Sequence, residues 1–245
     1  MPVEDIWALE KGFSLAWPAL LQRQVGGWLL KAGGGVSRRS NSANPTLDSK
    51  PLRAVLPSII LFYREQSLPT RVRTLSVQAP DFEDELALMG FHHEGEARTL
   101  YARVLNGGDE PGTFVEEAPS QVWIDGVNSA QQRTQAEGIA FQGHVTRISL
   151  PCAFLSSLDA DGVAVSWAYG ALNGAQLIIE SVVTRSDRRG QGHGKRTIQA
   201  LVHWAKKRGA TTGVLQVQAN NFAACHLYSS QGFTEELYRY RYWQR

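Results

Sequence analysis

Residues 188–195 read Arg188-Arg189-Gly190-Gln191-Gly192-His193-Gly194-Lys195, with glycines at alternate positions and basic side chains on both sides. The stretch lies between a segment of strand character and one of helical periodicity. Glycine lets backbone approach a ligand closely, and a helix that follows offers unpaired N–H groups and the positive end of its dipole. That combination suits a phosphate or pyrophosphate. The NTPase phosphate loop needs a glycine, four residues and then Gly-Lys-Ser/Thr. Here Arg189 occupies the first glycine position and Arg196 follows Lys195, so the pattern fails twice. The dinucleotide fingerprint G-x-G-x-x-G fails as well, because Lys195 or Thr197 falls at its last position. A glycine-rich turn alone serves a purely structural role as readily as a ligand; the residues that follow it decide.

Arg189-Gly190-Gln191-Gly192-His193-Gly194 fits the pattern Q/R-x-x-G-x-G/A. Downstream, Asn221-Phe222-Ala223-Ala224-Cys225-His226-Leu227-Tyr228 fits N-x-x-A-x-x-L-Y, and Gln231-Gly232-Phe233 follows. In this order, with one helix and one strand between them, the two motifs resemble the GNAT superfamily of acetyl-CoA-dependent N-acetyltransferases. Ile178 to Thr184 resembles that family's central strand, and the resemblance spans about Gly162 to Trp243. It implies that acetyl-CoA is bound by Val182, Val183, Thr184, Arg189, Gly190, Gln191, Gly192, His193, Gly194, Lys195, Asn221 and Tyr228. Backbone groups near Val182, Val183 and Thr184 would pair with the pantetheine arm. Amides from Gln191 to Lys195 would hold the pyrophosphate. Asn221 would contact the arm, and Tyr228 would lie close to the sulfur.

Acyl transfer from a thioester to an amine needs a neutral amine, a polarised carbonyl and a protonated leaving thiolate. A free amine with a pKa of ~10.4 is mostly charged at neutral pH, so a base helps. Strand amides can polarise the thioester oxygen. Tyr228, with a reference pKa of ~10, is protonated at neutral pH and is the candidate general acid; the alternative is a tyrosine packed beside Ala224 and Leu227. Glu180, mid-strand between apolar neighbours, is the candidate base, since burying an acid there is costly. Equally, it could be a carboxylate at the cleft edge or paired with an arginine. The His193 side chain is expected to face solvent. One or two of Arg188, Arg189, Lys195 and Arg196 are expected to meet cofactor phosphates, and Cys225 is read as a helix-packing residue.

The N-terminal half resembles a second, degenerate GNAT-like unit. Gly27-Trp28-Leu29-Leu30-Lys31 followed by Ser37-Arg38-Arg39-Ser40-Asn41-Ser42 resembles the opening of a group of bacterial two-part GNAT proteins, but the half lacks the R-x-x-G-x-G loop. Gly33-Gly34-Gly35 with Arg38 and Arg39 is read as a surface hairpin rather than a second anion site. The stripe Tyr238, Tyr240, Tyr242, Trp243 is read as one packed face of a strand, with an acceptor pocket or a homodimer contact as alternatives.

The elements that position these residues follow from periodicity. In the first half, strands are expected at residues 27–30, 70–76 and 99–104, with helices after Pro51 and over 81–89. Pro57 should kink or restart the first of these helices. The turn-rich run Asn106 to Gly112 marks a linker between a domain at 1–105 and one at 113–245. Beyond it, residues 120–141 read as helical, with Gly126 and Gly138 as the residues at which the stretch could divide. Residues 163–170 and 177–184 read as a hairpin turning at Asn173-Gly174. Ile198, Leu201, Val202 and Ala205 share one helix face, with Gly209 as its stop. Val214 to Gln218 is a strand, Asn220 or Asn221 caps a helix ending at Gly232, and period two makes the C-terminal tyrosine segment a strand. The fold class is α/β with a mixed sheet, a GNAT fold following a smaller GNAT-like unit.

Across its 245 residues the chain is 43% hydrophobic and 20% charged, with 25 basic and 23 acidic side chains and a net charge of +2. So small an excess argues against nucleic acid as a partner. The two cysteines supply neither a disulfide framework nor a metal site. No secretory signal or membrane-length apolar run occurs, and a cytoplasmic location is expected. The reading is an N-acetyltransferase that moves acetyl from acetyl-CoA to a primary amine of a small molecule, amino acid or peptide, by direct transfer in a ternary complex. The rivals are a non-catalytic acyl-CoA-binding regulator and an enzyme for longer acyl chains.

Overall fold

A computed structural model describes residues 2–34 and 37–245. The first half runs α1 (Val3–Ala16), β1 (Leu21–Val25), β2 (Trp28–Ala32), β3 (Ala43–Asn44), α2 (Leu52–Glu65), β4 (Arg71–Leu75), α3 (Phe82–Leu88) and β5 (His92–Ala102). The second adds β6 (Thr113–Glu116), α4 (Gln121–Ala130), α5 (Gln135–Val145), β7 (Cys152–Leu158), β8 (Ala164–Asn173) and β9 (Gln176–Thr184). It closes with α6 (His193–Lys207), β10 (Thr212–Gln218), α7 (Phe222–Ser230) and β11 (Glu235–Gln244).

The described strands join in one mixed sheet of order β1-β2-β3-β4-β11-β5-β10-β9-β8-β7-β6. Strand β5 comes from the first half yet lies between β10 and β11, antiparallel to both. Strands β9 and β10 run parallel and pair only from Gln176/Thr212 to Ile179/Leu215. Past Ile179 and Leu215 the two strands separate, which opens a wedge in the sheet.

Both faces are covered. On one, Ile198, Leu201, Val202 and Ala205 of α6 pack against Leu155, Ala168, Leu172 and Ile179. On the other, Ile6, Leu9, Phe13 and Ala16 of α1 meet Ala171, Ile178, Val214 and the tyrosines of β11. Beside them Trp123 of α4 and Phe141 of α5 pack on Phe154 and Tyr169. Ala168 and Tyr169 thus go to opposite faces, as strand alternation requires. A further cluster joins α2 and α3 to β2 and β4 through Ile59, Phe62, Tyr63, Leu86, Trp28, Leu30 and Val72.

Several sequence expectations are corrected. Helix α2 is continuous through Pro57; the proline lies on its exposed side, where the carbonyl that loses its partner can meet water. Strand β5 begins at His92 rather than Thr99 and ends at Ala102. Its polar start is paired by charge across the sheet, because Glu96 binds both Arg239 and Arg241 of β11. The 120–141 helix is two helices. The break falls at residues 131–134, where Gln132 has φ +53° and Thr134 forms a capping box with Glu137. Gly126 stays mid-helix because a Cβ there would lie 2.6 Å from the Trp167 indole. Helix α1 and strands β1, β3, β6 and β7 were not expected. Gly35, part of the expected triple-glycine turn, lies outside the described residues.

Candidate active site

Tyr169 pairs with Glu180 and Trp167 with Val183, so Ser181 and Val182 together oppose Ala168. Ser181 has φ +53°. A bulge of this kind removes backbone groups from the ladder and makes them available to a ligand. It sits where β9 leaves β10.

After β9 the chain turns through Gly190 (φ +75°) and Gly192 (φ +83°) into α6. A Cβ at either would meet nothing within 4 Å, so glycine is required there for backbone conformation and not for space. Gly192 is the N-cap residue of α6 and offers no side-chain cap. The amides of His193, Gly194 and Lys195 therefore have no intrahelical acceptor, and they stand at the positive end of the helix dipole.

The wedge and the loop border one cleft of about 540 Å³. Val182, Val183 and Thr184 form one wall, Arg189, Gly190, Gly192, Gly194 and Lys195 the end, and Asn221 and Tyr228 the side contributed by α7. Of the residues expected to bind the cofactor, Gln191 is absent from this lining; it faces a neighbouring depression with Asp159 and Arg196. His193 lines both hollows. Its side chain is buried rather than solvated, and Nδ1 has no hydrogen-bond partner among the described residues. Asn221 also caps α7, its Oδ1 accepting from the Ala224 amide at 3.1 Å. Arg188 pairs with Asp159 at 3.6 Å, and Arg196 donates to the Leu158 carbonyl at 3.2 Å. Arg189 is exposed and donates to the Thr184 carbonyl at 3.3 Å. Cys225 is half-buried against the core under α6.

Tyr228 is buried at the cleft wall, T-shaped against Phe233 at 6.4 Å between centroids. Burial raises its hydroxyl pKa, helped by the negative charge of Glu180 and then by Cys225. The hydroxyl is therefore protonated at neutral pH and able to donate. Glu180 is the first residue of β9 beyond its last pair with β10, and it is 6% exposed. Both its oxygens are held: Arg39 donates from Nη1 to Oε2 at 2.7 Å and from Nη2 to Oε1 at 2.6 Å. Arg39 lies over the rings of Phe13 (5.6 Å) and Trp17 (5.3 Å). It is not on a surface hairpin, and the first half of the chain thereby reaches into the site. A buried acid that follows two isoleucines signals that a cation must come to it; nothing local says which.

Further along the same face is a cluster of which the sequence analysis gave a role to Tyr238 alone, as part of a packed strand face. Arg73 forks onto Glu10, with Nη2 donating to Oε1 at 2.9 Å, and Tyr238 also donates to Glu10. Lys31 is buried beside them. Its pKa is pushed down to about 7, by burial first and then by Arg39 and Arg73, against the opposing pull of Glu10 and Glu180. Tyr238, Tyr240 and Tyr242 pack inside the chain against α1. Among the described residues no helix is long and apolar enough to cross a membrane, and no group of three or more His, Cys, Asp or Glu side chains could hold a metal ion.

The sequence model of the family described as "Probable histone acetyltransferase Rv0428c C-terminal" matches residues 3–243. The chain is 28% identical over 244 residues to "Uncharacterized N-acetyltransferase YobR" of Bacillus subtilis (strain 168), covering 95% of this chain and 96% of that protein. Its fold is similar to a structure described as "GCN5-related N-acetyltransferase from Kribbella flavida", with a TM-score of 0.65 at 15% identity over 98% of this chain and 94% of that one. It is also similar to a "Tandem GNAT protein from the clavulanic acid biosynthesis pathway (without AcCoA)", with a TM-score of 0.68 at 13% identity over 95% and 85% of the two chains.

Proposed function

The chain belongs to the Rv0428c C-terminal acetyltransferase family and is an N-acetyltransferase of the GNAT type, and on that premise we propose that it transfers acetyl from acetyl-CoA directly to a primary amine of a small molecule, amino acid or peptide in a ternary complex. One observation carries this reading: the bulged strand, the uncapped helix N-terminus and a protonated tyrosine border a single cleft. The cleft fits coenzyme A. The free amides of residues 193–195 suit its pyrophosphate, and the bulge at Ser181 and Val182 offers backbone partners to an amide-bearing arm. When bound, acetyl-CoA supplies an acetyl group activated as a thioester.

Tyr228 donates its proton to the departing thiolate as the carbon–sulfur bond breaks and the carbon–nitrogen bond forms. Glu180, kept in place by Arg39, receives the proton lost by the amine through water; the grip of Arg39 on both oxygens favours this indirect route over direct contact. Backbone amides of the bulge polarise the carbonyl. In this division of labour residues 113–245 hold the cofactor, residues 1–105 cover the acceptor side, and 106–112 connect them. The enzyme works in the cytosol.

Tyr228→Phe tests the reading. Turnover, followed by release of CoA thiol, should fall by about 10²–10⁴-fold, the usual range for a lost general acid, while acetyl-CoA affinity stays within about twofold. Unchanged turnover would remove Tyr228 from the chemistry. Parallel rather than intersecting initial-rate lines would rule out direct transfer.

A further inference from the structure

A second groove of about 360 Å³ lies beside the cleft, lined by Arg38, Arg39, Glu96, Gln218, Tyr240 and Tyr242. Two residues tie it to the cleft. Arg39 holds Glu180, two positions before the cleft residue Val182. Gln218 ends β10, three positions before the cleft residue Asn221.

The charges in this groove are unevenly balanced. Glu180 answers Arg39, and Arg239 and Arg241 both answer Glu96. Arg38 alone has no carboxylate partner among the described residues. Its Nη1 donates to the Glu94 carbonyl, and its guanidinium lies 5.6 Å from the Tyr242 ring. Tyr242 is 6% exposed, and its hydroxyl has no hydrogen-bond partner among the described residues. A buried hydroxyl without a partner is a rare and costly arrangement. The Tyr242 ring lines the groove under Arg38, whose guanidinium is the cation there that no carboxylate among the described residues answers and that an anionic group can reach.

We propose that this groove holds the acceptor, and that the acceptor is a primary amine bearing a carboxylate or phosphate, with its anionic group on Arg38 and its nitrogen toward Glu180. The inference rests on the acetyl-transfer reading above and supplies its substrate class. Guanidinium groups grip carboxylate and phosphate through paired N–H donors, which gives orientation as well as attraction. Glu180, joined to the groove by Arg39, takes up the proton of the ammonium end through water, as in the transfer reading above. A polycationic amine would meet Arg38 and Arg39 while the one acid lining the groove is already paired twice. The volume suits a molecule of about amino-acid size.

The test uses the full chain with acetyl-CoA and measures CoA thiol release. The proteinogenic L-amino acids are set against their carboxamides, O-phosphoethanolamine against ethanolamine, and spermidine serves as the polycation. At least one acidic amine should exceed its neutral analogue by tenfold or more in kcat/KM, and whether it belongs to the carboxylate or the phosphate arm identifies the anionic group. Arg38→Met should erase that ratio by raising KM with acetyl-CoA affinity unchanged, and Arg38→Lys should keep part of it. Thermal melting of both variants checks that they are folded. Preference for the neutral analogues or spermidine, an unchanged ratio in folded Arg38→Met, or neither turnover nor calorimetric binding of any acidic amine would overturn the inference. If acetyl-CoA itself fails to bind, the transfer reading falls and takes this one with it; if acetyl-CoA binds and amines react without an acidic preference, only this inference falls.

Discussion

Under α1 the carboxylates of Glu10 and Glu180 lie with the cations Lys31, Arg39 and Arg73 in one buried cluster. If Lys31 is neutral the two acids and two guanidinium groups balance; if it is protonated a positive charge is left over. The depressed pKa of Lys31 follows from this arrangement and links stability to pH. The folded value is about 7 and the unfolded value ~10.4, so between these limits the unfolded chain binds more protons. The penalty of a buried ammonium is therefore full below pH 7 and fades as pH rises toward ~10. Lys31→Met should remove this rise from urea-unfolding curves taken between pH 6 and 10, and should be at least as stable as the parent at pH 6. An unchanged slope would mean that Lys31 is charged throughout. At this scale the sequence was informative where a motif names the residue, as at Asn221 and Tyr228. It put Arg39 on a surface hairpin and gave no role to Lys31 or Glu10, because their partners are more than sixty residues distant in the chain or their contacts arise only from tertiary packing.

Elements with local signals were readable in advance. The β8–β9 hairpin turns at Gly174 (φ +61°), α6 stops at Gly209 (φ +88°) and α7 is capped by Asn221, each written in neighbouring residues. Strand β7 was not, because residues 153–157 are all buried and the usual in–out alternation is lost. Helix α1 carries a helical stripe at Ile6, Leu9, Phe13 and Ala16, but Gly12 interrupts it. The structure explains that glycine by close approach, since a Cβ there would lie 2.7 Å from the Asn173 amide. The phosphate loop gives a test at this scale. Gly192 has φ +83° and open space, so Gly192→Ala imposes backbone strain of about 1–2 kcal/mol without a clash. Acetyl-CoA affinity should drop by about tenfold while far-UV circular dichroism stays unchanged. Undiminished affinity would mean that the loop amides do not hold the cofactor.

The whole molecule is knitted together by strand order. Because β5 lies between β10 and β11, and α1 packs on β8 and β9, the first half supplies an inner strand and a covering helix to the second. The turn-rich run at residues 106–112 marks a real change of element, yet the sheet continues across it, and non-local pairing of this kind leaves no mark on local composition. A fragment of residues 113–245 would expose the facing edges of β10 and β11 and the surface under α1. It should show no cooperative unfolding transition in urea and should aggregate; a sharp transition would show that the second half folds alone. Since Arg38 and Arg39 come from the first half and Gln218, Tyr240 and Tyr242 from the second, the proposed acceptor groove needs the intact chain.

The central claim is that the cleft between β9, the glycine loop and α7 is an acetyl-CoA site. It is tested most directly by calorimetric titration of the folded protein, freed of carried-over CoA, with acetyl-CoA and with ATP and NAD as controls. The account predicts saturable one-to-one binding of acetyl-CoA and no comparable heat from ATP or NAD. Absence of acetyl-CoA binding, or equal binding of all three, would contradict it.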